Sequence, residues 1–368
     1  MVEALIDGKP ASLDAATARA AEILSAARFP LIGGLGADVA GASAAILLAE
    51  RLRGAYDHMR SAEIFPDLAV FRQAGAMMTT PSVARLQADV LVFVGDDLAE
   101  IWPQVMERLE PGAVPYFDLE KARRKIVWIA PPKGAKIDGA ELLTLEGLDV
   151  KSALALLRAR VAGRPVAAPA ATVAAFDAAA AILNAARFGV FVWGPRLLDA
   201  LAVEMALGLL LDLNKTTRFT SLPLGTSDNA AGVTQTSGWS TGFPPRTGFG
   251  RGYPEHDAWK YQAARLIDAG EADAALWISS YSASAPDWAG AAPLVALTAQ
   301  ETPFKSTPAV EIRVGRPGVD HDCADFAREA AAIVARTASA PSAAPTAAAV
   351  LRAIAAKLPQ GAKGTGDA

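Results

Sequence analysis

AEILSAARFPLIGGLG, from Ala21 to Gly36, decides the fold of this chain because a second version of it, AAILNAARFGVFVWGP, runs from Ala180 to Pro195. Both versions share an ILxAARF core, which leads into a short apolar run that Gly or Pro ends. An apolar run of this kind, placed after the last turns of an amphipathic helix, is typical of a strand buried on both faces of a parallel sheet. We therefore predict a helix followed by a buried strand in each copy.

Two further matching elements follow each copy. Helical patterns cover 40–52 and 197–213, and an apolar run opened by Ala-Asp comes later at 88–97 (ADVLVFVGDD) and 272–281 (ADAALWISSY). The reuse of both segments in the same order argues against chance similarity in an Ala-rich chain. The sequence thus predicts an α/β protein built from two duplicated Rossmann-like parallel-sheet halves.

The predicted domain boundaries follow breaks in this periodicity. They are an N-terminal lead-in over 1–20, a first half over 21–163, a Pro- and Ala-rich linker over 164–173, a second half over 174–338, and a linker with a C-terminal helix and tail over 339–368. Segment 221–255 is rich in Gly, Ser, Thr and aromatic residues and lacks clear periodicity. We predict that it is an ordered loop, which either lines a cleft, contacts a partner or is purely structural.

The composition excludes several functional classes. Of the 368 residues, 52% are hydrophobic and 20% charged, which is typical of a well-packed protein and not of a disordered one. The net charge is −4 and the basic residues are scattered, so we expect no nucleic-acid partner. No apolar run reaches the ~18 residues of a membrane span. The single cysteine excludes an internal disulfide and favours a cytoplasmic location.

Two polar stretches could bind a ligand. Gly33, Gly34 and Gly36 precede a helix, but their spacing is not GxGxxG, and a tight strand-to-helix turn explains them as well. Asp96 and Asp97 end a predicted parallel strand, where open α/β sheets place ligands. The alternative for this pair is a helix N-cap with a favourable dipole interaction.

Residues for acid–base chemistry are scarce. The histidines are His58, His256 and His321, and the cysteine is Cys323. His321 and Cys323 lie on one short segment, and residues so close in sequence rarely face each other as a catalytic pair. We therefore expect Cys323 to be a structural thiol. His256 lies next to the long segment and is the better functional candidate. No His, Cys or carboxylate spacing suits zinc. The residues therefore predict no catalytic group and no metal site in this chain.

Several motifs together resemble a known family. ADVLVFVGDDLAEIWPQVMERL (88–109) is similar to a strand element of molybdopterin oxidoreductases. The long segment resembles the B subunit of formylmethanofuran dehydrogenase, which carries P-x-G, N-x-x-G, W-x-T-G-Y-P and R-G-Y-P motifs. The matching residues here are Pro223–Gly225, Asn229–Gly232, Trp239–Pro244 and Arg251–Pro254. The resemblance covers most of 15–335, and it implies two related Rossmann-like domains.

The chain departs from this family at the metal site. Metal-dependent members bind a tungsten or molybdenum pterin through Cys or selenocysteine, and an iron–sulfur cluster through an N-terminal set of cysteines. Cys323 lies far from either place. In the family motif D-x-x-x-S-x-C-x-x-P, anchored here on Asp57 and Pro66, the Cys position falls on Glu63. The resemblance therefore implies a chain without the iron–sulfur domain, the cluster or the metal–pterin cofactor.

A retained fold with a lost metal site resembles the B subunit of the formyltransferase/hydrolase complex of methylotrophs. That complex moves a formyl group from a tetrahydromethanopterin to a methanofuran-type carrier and releases formate. The resemblance implies a scaffold that is not itself catalytic, with amidohydrolase-like, formyltransferase and third structural subunits as partners. Contact with the carrier is a further expectation. The candidates for a vestigial cleft are Glu63, Asp96, Asp97, Asn229, Trp239, Arg246, Arg251 and His256.

Two other functions remain open from the sequence. One is a molybdopterin-dependent formyl or formate oxidoreductase subunit that holds its pterin without a protein thiolate. The other is a nucleotide- or thiamine-binding module that shares only the Rossmann architecture. Metal and pterin content separates the first alternative from the scaffold. Tight binding of a phosphate-bearing ligand near Gly33–Gly36 is what the second alternative requires.

Overall fold

The structure is a computed structural model that describes residues 3–116, 122–145, 147–196, 198–288 and 291–359. The strands are β1 (Ala4–Ile6), β2 (Lys9–Ala11), β3 (Pro30–Gly36), β4 (Ala55–Tyr56), β5 (Val90–Val94), β6 (Lys125–Ile129), β7 (Ala140–Leu143), β8 (Gly189–Trp193), β9 (Phe219–Pro223), β10 (Thr247–Gly248), β11 (Glu255–His256), β12 (Ala274–Ser279), β13 (Leu294–Thr298), β14 (Val310–Arg313), β15 (Cys323–Ala327) and β16 (Ala332–Arg336). The helices are α1 (Leu13–Ala26), α2 (Val39–Arg51), α3 (Ser61–Ala74), α4 (Pro81–Gln87), α5 (Leu98–Ile101), α6 (Val105–Leu109), α7 (Val150–Val161), α8 (Ala170–Asn184), α9 (Ala200–Leu213), α10 (Ala230–Thr241), α11 (Ala263–Asp268) and α12 (Ala347–Ala356).

The chain folds into two compact units. The first contains 1–61, 227–326 and 333–368, and the second contains 62–226 and 327–332. Each unit has a parallel core of five strands, ordered β4-β3-β12-β13-β14 in the first and β9-β8-β5-β6-β7 in the second. In the first unit, the antiparallel strands β10 and β11 extend one edge and β1 and β2 extend the other. The predicted α/β fold with parallel sheets is confirmed.

The duplicated strands pair crosswise. The strand of the first ILxAARF copy, β3, pairs with β12, which belongs to the second Ala-Asp run. The strand of the second copy, β8, pairs with β5, which belongs to the first. The units therefore do not follow the predicted halves 21–163 and 174–338. Both Ala-Asp strands carry the same apolar pattern, so sequence order alone does not decide which one each copy adopts.

An aspartate joins each copy to its partner strand. Asp273 accepts hydrogen bonds from the backbone N–H groups of Arg28 and Phe29, at 3.0 and 3.1 Å. Asp89 accepts the equivalent pair, from residues 187 and 188, both at 2.9 Å. The Arg-Phe of the repeat and the Asp of the Ala-Asp run are thus two parts of one interaction, used once in each unit.

The central strands are buried on both faces, as predicted. Along β5, the side chains of Val90, Val92 and Val94 join the apolar cluster that contains α7, α8 and α9 residues. Leu91 and Phe93 point to the opposite face and join the cluster of α4, α5 and α6 residues. This packing on both sides explains why the strand reads as a continuous apolar run. In the part of the chain that the structure describes, no helix is both long and apolar enough to cross a membrane.

Three terminal and linker predictions have different outcomes. The lead-in forms the β1–β2 hairpin and most of the first turns of α1. The linker predicted over 164–173 ends earlier, because α8 begins at Ala170 directly after Pro169. The C-terminal helix is α12, and the tail from residue 360 lies outside the described residues.

Candidate functional site

The Asp-x-x-x-Ser part of the family motif forms a buried structural tie. The Ser61 hydroxyl donates to Asp57 Oδ1 at 2.5 Å, and the backbone N–H of Ala263 donates to Oδ2 at 2.9 Å. The Arg246 guanidinium forms an ion pair with the same carboxylate at 3.4 Å. Burial raises the pKa of Asp57 to about 6, against the opposing effect of Arg246. Asp57 thus joins its own turn to Arg246 and to the start of α11.

His58 is fixed as a neutral imidazole. The backbone N–H of Arg60 donates to Nδ1 at 3.0 Å, so the proton is on Nε2, which donates to the Asp228 carbonyl oxygen at 3.1 Å. Burial lowers the pKa of His58 to about 4. Both ring nitrogens are occupied by backbone groups, so this histidine is a structural residue and not a general base.

Asp228 is the polar centre beside His58. Its carboxylate accepts from the hydroxyls of Ser227 at 2.6 Å and Ser282 at 2.5 Å, and pairs with Arg60 at 3.1 Å. Burial raises the pKa of Asp228, but these hydroxyls and the arginine outweigh it, so the net shift is downward. Asp228 was not among the predicted site residues, although it directly precedes the N-x-x-G motif.

Asn229 and Gly232 explain the N-x-x-G motif. Asn229 adopts a left-handed conformation (φ 56°) at the start of α10. Its side-chain amide donates to the Ala37 carbonyl oxygen at 2.8 Å, and its Oδ1 accepts from the Phe326 N–H at 2.9 Å. A Cβ atom on Gly232 would lie 2.3 Å from that Oδ1. Position 232 therefore requires glycine, because the Asn229 side chain lies against it.

The segment 221–255 is not the continuous loop that we predicted. Twelve of its residues form α10, and β10 and β11 follow at the edge of the nine-stranded sheet. The helix was not visible in the sequence because its Gly, Ser and Thr residues have weak helix propensity. Burial of residues such as Val233 and Ser237 stabilises it instead.

The aromatic and basic candidates of this segment have different environments. Trp239, near the end of α10, has 64% of its surface exposed. Arg246, with 12% of its side chain exposed, pairs with Asp57 and also donates to the Ala258 carbonyl oxygen at 2.7 Å. His256 Nδ1–H donates to the Arg246 carbonyl oxygen at 3.0 Å, and the His256 ring stacks on Phe243. The structure thus brings Arg246 and His256 into contact, where both help to hold the fold of the first unit.

Arg251 is the candidate that faces a pocket. It forms an ion pair with Glu255 at 3.3 Å, and the pocket beside it has a volume of about 550 Å³. We call it the Tyr261 pocket; its lining residues are Arg28, Phe29, Gly250, Arg251, Glu255, Lys260, Tyr261, Leu266, Gly270 and Glu271. All of them belong to the first unit. Of the lining residues only Arg251 was predicted as a site residue, although the Arg-Phe of the first repeat copy also lines the pocket.

Glu63, at the position of the family cysteine, lies in the first turn of α3. Its carboxylate accepts a short hydrogen bond from the Thr226 hydroxyl. Within the described ranges, no group of three or more His, Cys, Asp or Glu residues is arranged to hold a metal ion. Cys323 is buried, and burial together with Asp325 raises the pKa of its thiol to about 12, so it is not a thiolate at neutral pH. These donors do not fit a metal–pterin or an iron–sulfur cluster.

Asp96 and Asp97 behave differently although they are adjacent. Asp96 is exposed, whereas Asp97 is buried, and neither carboxylate oxygen of Asp97 has a hydrogen-bond partner in the part of the chain that is described. Burial raises the pKa of Asp97. It occupies the N-cap position of α5, but its side chain does not cap the helix. A Cβ on Gly194 would lie 2.9 Å from Oδ1, so the carboxylate packs against backbone rather than facing an open cleft.

The candidates therefore divide between the two units. Asn229, Trp239, Arg246, Arg251 and His256 belong to the first unit, and Glu63, Asp96 and Asp97 belong to the second. Within the first unit most of them stabilise the backbone, while Trp239 and Arg251 reach the surface.

Similarity to known proteins extends over nearly the whole chain. No protein-family model matches it. The B subunit of the formyltransferase/hydrolase complex Fhc of Methylorubrum extorquens is 35% identical over 319 residues, which is 86% of this chain and 85% of the relative. The B subunits of the tungsten-containing formylmethanofuran dehydrogenase 2 of Methanococcus maripaludis and Methanocaldococcus jannaschii are each 26% identical, over 81% of this chain and 72% of the relative.

A solved structure agrees with the sequence comparison. A chain in the crystal structure of the Methylorubrum extorquens formyltransferase/hydrolase complex with methylofuran superimposes with a TM-score of 0.86 at 35% identity. The match covers 95% of this chain and 97% of that chain. On this identity and coverage, the chain belongs to the family of B subunits of formyltransferase/hydrolase complexes.

Proposed function

We propose that this chain is the scaffold subunit of a complex that transfers a formyl group from a formyl-tetrahydromethanopterin to a methanofuran-type carrier and hydrolyses it to formate. The observation that carries the proposal is the near full-length match to a chain solved inside such a complex. In this function, amidohydrolase-like and formyltransferase subunits perform the chemistry, and a third structural subunit completes the assembly. The complex works in the cytoplasm, in keeping with a chain that has a single cysteine.

The chemistry of the chain's own residues supports a role without catalysis. The polar groups of the family motifs bind backbone and one another: Asp57 holds Ser61 and Arg246, and Asn229 holds two backbone groups. His58 has both ring nitrogens engaged. The only thiol has a raised pKa. None of these side chains presents a free nucleophile or base to a substrate.

The surface of the first unit supports a role in assembly. Large hydrophobic side chains that are exposed there include Trp239, Phe243, Tyr253 and Trp259. These four lie within 21 residues of sequence that end and follow α10, and aromatic side chains are enriched where proteins contact one another. We propose that partner subunits contact this stretch and that the methanofuran-type carrier contacts the same unit.

Purification of the tagged chain from its native host at low salt tests the proposal. The purified fraction is assayed for formyltransferase and formyl-carrier hydrolase activity, and for tungsten, molybdenum and pterin. We expect partner subunits with both activities and no metal–pterin. A stoichiometric metal–pterin would instead identify a redox subunit. A chain that purifies alone and binds a nucleotide or thiamine diphosphate would identify a Rossmann-type binding module.

A further inference from the structure

The Tyr261 pocket has an aromatic floor. The rings of Phe29 and Tyr261 lie with centroids 6.5 Å apart, tilted by 35°. Gly250 lines the same space, and a Cβ on it would lie 3.6 Å from the Phe29 ring, at ordinary van der Waals distance. A volume of about 550 Å³ is within the range of pockets that bury a ligand or a short peptide segment.

The acidic groups of the pocket are already engaged. Glu255 pairs with Arg251 at 3.3 Å and accepts from the Tyr261 hydroxyl at 3.3 Å. Glu271 accepts two parallel hydrogen bonds from Arg265, both at 2.7 Å. The Arg265–Glu271 pair is bidentate, which fixes the orientation of Glu271, whereas Glu255 is held by two single contacts. The walls are therefore preorganised.

One cation that lines the pocket makes no direct ion pair among the described residues. The Lys260 ammonium lies over the Tyr261 ring, 4.9 Å from its centroid, and it forms no ion pair with any carboxylate among the described residues. The two glutamates of the pocket interact with Lys260 only at longer range, because each is paired with an arginine, so the ammonium can form a direct ion pair with a carboxylate of a bound molecule. The pocket is thus complementary to an apolar group that carries a carboxylate beside it.

Two exposed aromatic side chains contact arginines beside the pocket. The Tyr253 hydroxyl lies 3.4 Å from Arg251 Nη1, and the Trp259 ring lies 4.5 Å from the Arg265 guanidinium carbon. They keep 51% and 70% of their surface exposed. Neither lines the pocket, so a small molecule inside it would leave both uncovered. Tyr and Trp are the residues that most often act as interface hot spots.

We propose that the Tyr261 pocket and its two outer aromatic residues, Tyr253 and Trp259, form the docking site for a partner-subunit segment. The segment inserts an apolar side chain over Tyr261, pairs a carboxylate with Lys260 and covers the two outer rings. The inference rests on the proposed function, because it names the surface by which the scaffold holds one of its partners. It differs from carrier binding in requiring a protein that extends beyond the pocket.

Two substitutions test the docking site. Trp259→Ala removes an exposed aromatic ring that the partner would cover. Lys260→Glu reverses the charge that would pair with the partner's carboxylate. The matched control is Lys133→Glu, which makes the same charge reversal at an exposed lysine of the second unit. Each tagged variant is purified from the native host across a salt series, and its partners are quantified by native mass spectrometry. Thermal unfolding of the chain expressed alone checks that each variant folds.

The expected result is a loss of partner recovery of about tenfold or more for Trp259→Ala and Lys260→Glu, with unchanged melting. Lys133→Glu should recover partners like the wild type. Full assembly of both pocket variants would overturn the inference and leave the scaffold function intact. Variants that keep all subunits but lose the carrier would also overturn it, because the pocket would then hold a small anion. A wild-type chain that purifies alone would refute the proposed function itself.

Discussion

His58 should remain neutral down to about pH 4, far below the ordinary range of a histidine. Its Nδ1 accepts the Arg60 N–H, and its Nε2–H donates to the Asp228 carbonyl oxygen. A proton added at Nδ1 would break the first of these bonds and leave a charge in a buried site. The unfolded chain, in contrast, takes up this proton near pH 6.5.

The sign and size of the effect on stability follow from this difference. Because the folded pKa is lower than the unfolded one, the unfolded chain binds more protons between pH 6.5 and 4, and stability falls as the pH is lowered. The difference between these two pKa values corresponds to roughly 3 kcal/mol at low pH, and about 2 kcal/mol of it is already lost at pH 5. Above pH 7 the contribution of His58 to stability is constant.

NMR titration of the imidazole signals measures this directly, because the chain contains only three histidines. A His58→Gln variant assigns the His58 signal and serves as a second test in urea unfolding between pH 4.5 and 7.5. The wild type should lose about 2 kcal/mol more than the variant on going from pH 7 to pH 5. A His58 signal that titrates with a midpoint near 6.5, or identical pH slopes for the two proteins, would refute the reasoning.

Three other outcomes are expected. Asp89→Ala should lower the free energy of unfolding by about 1–3 kcal/mol, because two backbone N–H groups lose their acceptor, while Asp89→Asn, which keeps one acceptor, should lose less; urea unfolding compares them. In the same assay, Gly232→Ala should cost about 1–3 kcal/mol because its Cβ displaces the Asn229 side chain, and Gly238→Ala, in the same helix with open space around it, should cost nothing or stabilise. Trp239→Ala should reduce co-purification of partners or carrier without changing the melting temperature of the lone chain, because that side chain is mostly exposed; normal recovery and complex activity would count against a role for Trp239.

Much of the fold could be predicted from the repeat. The apolar runs after each ILxAARF core are strands buried on two faces, and the alternate side chains of such a strand contribute to two different apolar clusters. A continuous apolar run of that length leaves little alternative to a central parallel strand. The motifs of segment 221–255 likewise led to the family, since their residues and spacing are specific.

The roles of the motif residues could not be predicted in the same way. Asn229 and Gly232 read as a signature for a ligand cleft, yet the asparagine binds the backbone at Ala37 and Phe326. These partners lie about 190 and 100 residues away along the chain. Asp97 was a candidate for a ligand or a helix cap, and its buried carboxylate packs against Gly194 and does not cap α5. The role of such a side chain depends on which groups the fold brings into contact with it.

The sequence by itself determined the local elements of this protein, because the spacing of apolar residues along a few turns or strand positions is enough to specify a helix or a buried strand. Only the tertiary structure decided that each repeat copy pairs with the Ala-Asp strand of the other half, and that Phe29 and Tyr261 form one pocket. The physical reason is that two strands of the same apolar pattern compete for each place in a sheet. The choice between them is made by contacts such as Asp273 with Arg28 and Phe29, which join segments far apart in the chain.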